Sequence, residues 1–338
     1  ERSRHNALCL AVAFSAHRIN GRPTVLWMPI LPSAAGLGML LQSSKMGVPP
    51  RRWFSPVARK TIRPALSKRL ATLYVVYAGR LFGADMPAPE FVSGEQTHIV
   101  ADFLNEVLRL GQGCVVFSSP SSAARVCQLA RARHYDFSGV TFRVGGEPLT
   151  PAKEAEIRTV GAAVLSSYAF SEGGLVGHSC AGQKRVCDDV HLLTGSMAVI
   201  QHRRDTLFGG GPVDAFLLTT LFDKAPKILL NVENGDCGAL ETRDCDCELG
   251  ALGLTTHLHT IRSFEKLTGE GVSFVGTDLV RIIEEVLPAR FGGASTDYQM
   301  VETQDAGGLT RLAVLVSPGL GIVVAEEVVG LILSELRK

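Results

Sequence analysis

Residues 113–168 constrain the fold most, because apolar runs of strand length alternate there with runs of helix length. Residues 113–118 (Gly-Cys-Val-Val-Phe-Ser) read as a short buried strand, and 121–133 as a helix. Residues 140–144 read as a second strand that leads into a Gly-Gly-Glu-Pro turn. A helix is expected over 151–160 and a third strand over 163–168. Strands joined through helices predict a mainly parallel sheet with helices on its faces.

The flanks extend this picture. Residues 8–15 look helical, 24–30 look like a buried strand running into a Pro-Ser-Ala-Ala-Gly turn, and helices are expected over 57–72 and 95–110. After residue 190 the texture changes to short strands at 197–201, 215–222 and 227–232, separated by Gly/Pro/Asp turns. Residues 217–221 and 228–231, joined by Asp223-Lys-Ala-Pro226, resemble a β-hairpin. From Thr268 an α+β pattern begins, with helices at 278–287 and 326–336 and strands near 298–302 and 311–316. The expected class is therefore α/β. A large domain over 1–267 would hold a mainly parallel sheet flanked by helices plus a β-rich subregion, and a small α+β C-terminal domain would cover 268–338.

Composition excludes some functions. A hydrophobic share of 46% with 7% aromatic argues against disorder, and a net charge of +1 gives no global ground for a nucleic-acid or membrane partner. Between Lys45 and Arg80 lie nine Lys or Arg residues and no Asp or Glu, which reads as a solvated helix face or, alternatively, a surface for a phosphorylated carrier such as coenzyme A. No membrane span is expected: residues 24–41 are broken by Pro29 and Pro32, and 7–16 are too short and lack a signal-peptide cleavage site. The opening Glu1 suggests a fragment.

Eight cysteines without a secretory signal point to a reducing, cytoplasmic setting. Cys180, Cys187, Cys237, Cys245 and Cys247 cluster, which suggests metal before disulfide, whereas Cys9, Cys114 and Cys127 read as small core residues. Cys180, His191, Cys245 and Cys247 form a candidate structural zinc site, since a Cys-x-Cys turn can present two of the four ligands tetrahedral zinc wants. Cys187 is the alternative first ligand. Cys237 reads as a small apolar residue; His257 and His259, two apart on an expected strand and pointing the same way, could bind metal but, with no acidic or cysteine partner adjacent, read as ordinary surface histidines.

Three motifs in fixed order remain: Gly145-Gly146-Glu147-Pro148-Leu149, Tyr168-Ala-Phe-Ser171-Glu172, and Asn231-Val-Glu-Asn-Gly-Asp236. With Cys180, Asp189-Val-His191, Leu218-Thr-Thr-Leu221, Cys245-Asp-Cys247 and Glu265-Lys-Leu-Thr-Gly269, they make the chain from Leu26 onward resemble the phenylacetate–coenzyme A ligase-like branch of the adenylate-forming superfamily. The resemblance implies a nucleotide-binding domain, a mobile C-terminal domain and a two-step reaction. A carboxylate would attack the α-phosphate of ATP to give acyl-AMP and pyrophosphate; a thiol, usually coenzyme A, would then take the acyl group. It implies that residues 145–147 line the adenine, Tyr168 packs beside it, Glu172 binds magnesium and Asp236 holds the ribose, with Pro148 and Ser171 completing the nucleotide site. Some members of the branch carry a similar Cys/His/Cys-x-Cys set. The acid pocket would form near Phe170, Gly173-Gly174 and the loop around residues 32–38, where small glycines leave room for a bulky acyl group.

The chain departs from the family pattern in three places. The Ser/Thr/Gly-rich phosphate loop is expected upstream of residue 1, because Ser118-Ser-Pro-Ser-Ser122 lacks the glycines and lysine it needs. At the hinge, Glu270 follows Gly269 where the family has arginine, leaving Arg262 or Lys266 as the cation. The C-terminal lysine is not identifiable, Lys338 being the last residue. The fragment is therefore expected to be inactive alone. The alternative reading is a catalytically silent relative that binds a nucleotide or serves as a scaffold.

Overall fold

The computed structural model describes residues 2–31, 33, 35–56, 66–93, 96–205, 212–225, 227–264, 268–269, 272–273, 276–304 and 310–336. Two compact units result: Glu1–Met197 with Thr220–Ile228 and Glu241–Leu258, and Ala198–Thr219 with Leu229–Leu240 and His259–Lys338. Of the expectations above, those resting on Pro32, residues 57–65, Gly94, Glu95, Pro226, Lys266, Glu270 and Lys338 fall outside the described residues.

The first unit holds strands β1 (Thr24–Trp27), β2 (Arg52–Ser55), β3 (Pro89–Phe91), β4 (Cys114–Ser118), β5 (Val140–Val144) and β6 (Ala163–Phe170). They lie side by side as β3-β2-β1-β4-β5-β6, every pair parallel. Helices α1 (Arg2–Ala16), α2 (Ala35–Lys45), α3 (Leu66–Leu81), α4 (Thr97–Arg109), α5 (Pro120–Ala132) and α6 (Pro151–Arg158) intervene. Alternating side chains of the buried strands feed two cores. Val116, Phe142 and Val144 pack with Leu104, Cys127 and Ile157, while Val115 and Phe117 pack with Leu10, Phe14, Leu40 and Trp53. Helix starts are well marked. Ser119 Oγ accepts the Ser122 N–H at 3.3 Å ahead of Pro120, and Thr150 Oγ1 accepts the Lys153 N–H at 3.3 Å ahead of Pro151.

Further along come β7 (Gly174–Ser179), β8 (Val190–Leu192), β9 (Met197–Asp205), β10 (Pro212–Thr220), β11 (Val232–Thr242), the short helix α7 (Glu248–Ala251) and β12 (Thr256–Ser263). Pairing turns antiparallel at β6: β7 pairs with β6, β8 with β7, and β12 with β8 through His257 and Leu258. In the second unit β10 and β11 run antiparallel, with Leu217 opposite Glu233 and Leu218 opposite Val232. A hairpin pair forms as expected, but residues 228–231, the expected second arm, are not strand; the second arm is β11, from Val232. Asn231 sits in the left-handed region (φ 50°), which ends an extended strand, and its N–H donates to Thr219 Oγ1 at 2.9 Å.

The remaining elements are β13 (Thr268–Gly269), β14 (Val272–Ser273), α8 (Gly276–Arg281), a π-helical turn at Ile282–Val286, α9 (Leu287–Phe291), β15 (Tyr298–Gln304), β16 (Thr310–Val316) and α10 (Ala325–Glu335). Ile282, Leu287, Tyr298, Val328 and Ile332 form their shared core. The single helix expected at 278–287 widens before Pro288, which has no N–H for the carbonyl four residues earlier.

Helix α3 also differs from expectation. It runs to Leu81 instead of ending at 72; Thr72 and Val76 face inward, and Leu66, Leu70, Tyr74, Tyr77 and Leu81 are exposed. Cys9 is half-buried beside His5 (Sγ to Nε2, 3.6 Å), not a core residue like the fully buried Cys114 and Cys127. Replacing Ser119 removes the cap of α5, so Ser119→Ala should lower unfolding free energy by about 1 kcal/mol. In urea the midpoint should fall at an unchanged slope.

Candidate nucleotide and metal sites

In open α/β sheets ligands lodge beyond the carboxyl ends of the parallel strands. Gly145 to Pro148 follow the carboxyl end of β5, beside Ser167 and Tyr168 of β6. Gly145 is required by this proximity, because a Cβ there would lie 2.8 Å from Ser167 Oγ. Ser167 Oγ donates to the Val144 carbonyl at 2.9 Å. Gly146 adopts φ +86° and borders open space, leaving bare backbone uncovered. Tyr168 is buried, its ring centroid 6.4 Å from that of Phe170.

Three details were not legible in the motifs. The Glu147 carboxylate accepts the Ser121 N–H at 2.5 Å, in the first turn of α5, where helix-end charge favours an anion. Its side chain is thus committed to α5, and the turn offers its backbone instead. Ser171 and Glu172 sit exposed in the turn between β6 and β7, with Lys227 Nζ 4.0 Å from Glu172 Oε1. A Cβ at Gly173 would lie 2.2 Å from Phe170 Cζ, so the Phe170 ring packs directly over that glycine.

Asp236 belongs to the second unit. Asn234 Nδ2 donates to its Oδ2 at 2.9 Å, its own N–H donates to Asn234 Oδ1 at 3.1 Å, and Gly235 between them adopts φ +79°. Cys237 is buried and packs with Ala215 and Phe264, as its apolar reading requires.

The four candidate metal ligands converge within the first unit. The ligand atoms of Cys180, His191, Cys245 and Cys247 all lie within 4.8 Å of one another. His191 Nε2 stands 3.2 Å from Cys247 Sγ and 3.5 Å from Cys245 Sγ, and the two sulfurs are 3.4 Å apart. A tetrahedron of zinc–sulfur bonds of about 2.3 Å has edges of roughly 3.8 Å, so the set has the right size. His191 Nδ1 lies 2.5 Å from the Leu254 carbonyl and must donate to it, which leaves the Nε2 lone pair facing the sulfurs. Burial pushes the His191 pKa down to about 4, keeping the ring neutral as a ligand must be. Burial pushes the Cys180 thiol up to about 12. The Cys247 thiol is also buried, yet the Gly250 N–H directed at its sulfur helps hold it below its ordinary value. Gly250 is itself required, since a Cβ would lie 3.0 Å from Cys245 Sγ. Cys187 is not part of the cluster; its thiol donates to the Leu149 carbonyl at 3.1 Å.

Behind His191 stands a network the sequence reading missed. His257 is fully buried, not a surface residue, because it pairs across the strands with His191 and their rings lie 4.1 Å apart. Its Nδ1 donates to Asp189 Oδ1 at 2.8 Å. Asp189 also accepts from the Arg185 N–H at 2.8 Å and forms an ion pair with Arg243, which donates to the Gln183 carbonyl and to Glu241 as well. Burial would raise the Asp189 pKa, but these donors hold it below the ordinary carboxylate value. Removing one partner of a buried charge network is costly. Asp189→Asn should therefore lower unfolding free energy by about 3 kcal/mol, read by chemical denaturation.

No protein-family model matches the chain, and no curated protein matches it. Solved structures do resemble it distantly. The amide bond synthetase McbA from Marinactinospora thermotolerans is 14% identical over 100% of this chain and 88% of that one, with a TM-score of 0.44. Apo MatB from Rhodopseudomonas palustris is 13% identical over 98% of this chain and 57% of that one, at 0.46. An acyl-CoA synthetase (AMP-forming)/AMP-acid ligase II-like protein from Dyadobacter fermentans is 15% identical over 82% of this chain and 87% of that one, at 0.31.

Proposed function

We propose that the chain belongs to an adenylate-forming enzyme of the phenylacetate–coenzyme A ligase-like branch. The enzyme joins a carboxylic acid to AMP with release of pyrophosphate, then passes the acyl group to a thiol, coenzyme A first. One observation carries this reading: bare backbone at Gly146 and the Tyr168 strand stand side by side at the carboxyl ends of β5 and β6. A purine can lie against such a backbone, and an adjacent aromatic residue adds apolar cover. In this reading residues 145–148, Tyr168 and Ser171 hold the adenylate, Glu172 carries the magnesium ion, and Asp236 accepts hydrogen bonds from the ribose hydroxyls. Lys227 beside Glu172 adds positive charge for phosphate oxygens. Chemistry of this kind rests on positioning and charge neutralisation more than on a protein nucleophile.

Cys180, His191, Cys245 and Cys247 hold a structural zinc ion in the same reading, with a stabilising role. Residues 268–338 act as the mobile C-terminal domain. A reducing cytoplasm is the setting in which eight free thiols persist. Among the described residues no helix is long and apolar enough to cross a membrane.

The test is acid-dependent exchange of pyrophosphate into ATP by the full-length gene product against a broad carboxylate panel. Glu172→Ala and Asp236→Ala should each slow the exchange by about 100-fold. One zinc per chain is expected by metal analysis, and Cys247→Ser should lose it and melt earlier. No exchange with any acid would sink the ligase reading. Tight AMP binding in that case would select the silent nucleotide-binding relative that Glu270 suggests.

A further inference from the structure

A buried charge without a counter-ion is an anomaly in a folded protein, because desolvating a guanidinium costs far more than weak contacts return. Arg143 is such a charge. It lies on β5, two residues before Gly145, and only 7% of its surface is exposed. Among the described residues it makes no ion pair. Its partners are the Met39 sulfur at 3.6 Å, His178 Nδ1 at 3.4 Å and the face of Phe117, 5.5 Å away. None is an anion. Burial pushes its pKa down to about 10, which still leaves it charged at neutral pH.

His178 adds a second, independent observation. A guanidinium only donates, so His178 Nδ1 must accept and the proton sits on Nε2. That Nε2 is buried and has no hydrogen-bond partner among the described residues. A cation and an orphaned N–H donor thus share one buried neighbourhood without an acceptor of negative charge. Met39, the flexible wall of that neighbourhood, sits on α2 directly after Gly38, where the acid pocket is expected.

We propose that Arg143 is the binding point for a second negative group on the substrate acid, so that the acid activated here is a dicarboxylate. The inference rests on the adenylate-forming reading for the other end of that acid. The distal carboxylate would take the place of the missing counter-ion, with Arg143 donating a charge-assisted bond. A monocarboxylate would leave the guanidinium uncompensated, which turns the buried charge into a selectivity device.

The experiment is thermal unfolding of the protein, wild type and Arg143→Met, with malonate, succinate, glutarate and adipate. Butyrate and sodium chloride at matched ionic strength are the controls. At a hundredfold excess over its dissociation constant, one dicarboxylate should raise the wild-type midpoint by about 5 °C. Arg143→Met should lose that shift and, without any added acid, unfold at a higher temperature than wild type, since it removes an unpaired buried charge. The wild-type series decides the matter even if the variant does not fold. No shift by any dicarboxylate, an equal shift in Arg143→Met, or the same shift with butyrate or chloride overturns the proposal. Pyrophosphate exchange separates the two readings. A dicarboxylate shift through Arg143 without exchange by any acid overturns adenylation alone. Exchange with monocarboxylates but no dicarboxylate shift overturns the Arg143 proposal alone.

Discussion

The change of strand direction at β6 is the constraint on which both candidate sites depend. On one side β6 runs parallel to β5, so their carboxyl ends lie together and the Gly145–Gly146 turn meets Ser167 and Tyr168. On the other side β6 pairs antiparallel with β7, and the ladder continues through β8 to β12. Ser167, His178, His191 and His257 are consecutive cross-strand partners along that ladder. Because direct partners share a face of a sheet, one register carries Ser167 beside the Gly145 turn, the orphaned His178 and the candidate metal ligand His191. A slip by one residue would turn every member of the row to the other face.

The metal cluster shows how local chemistry and pairing combine. Gly250 lets the Cys-x-Cys loop fold back on itself, and the Gly250 N–H is directed at the Cys247 sulfur. Leu254 fixes the His191 tautomer, and Asp189 fixes the tautomer of the histidine stacked on it. Tautomer and charge balance come from the Leu254 backbone, the Asp189 carboxylate and Arg243, none of them in the four-residue ligand set.

What was legible in the sequence follows the range of the interactions involved. Strands and helices between 113 and 170 were readable because each is set by local signals, such as Pro120 and Pro151 after capping Ser119 and Thr150. That Cys180, His191, Cys245 and Cys247 converge was readable because few other arrangements use those residue types at that spacing. His257 was not, since its burial depends on a partner 66 residues away across β8. The start of β11 was misplaced because a single left-handed residue, Asn231, outweighs the apolar run before it. Gly173 read as empty space, but only the fold places the Phe170 ring there. Arg143 looks in sequence like one polar residue in a strand; its isolation emerges once Phe117 and Met39 close around it.

The positions of the metal ligands along the chain have a topological consequence. Cys180 and His191 precede the point at which the chain first leaves the first unit, and Cys245 and Cys247 follow its second return at Glu241, the first return being Thr220–Ile228. Along the chain, the four candidate ligands therefore bracket a stretch that includes β9, β10 and β11. Closing a loop costs entropy that grows only with the logarithm of its length, about 0.6 kcal/mol per doubling. The bracketed stretch can thus be lengthened or shortened at little entropic cost without moving any of the four ligand positions along their own strands and loop.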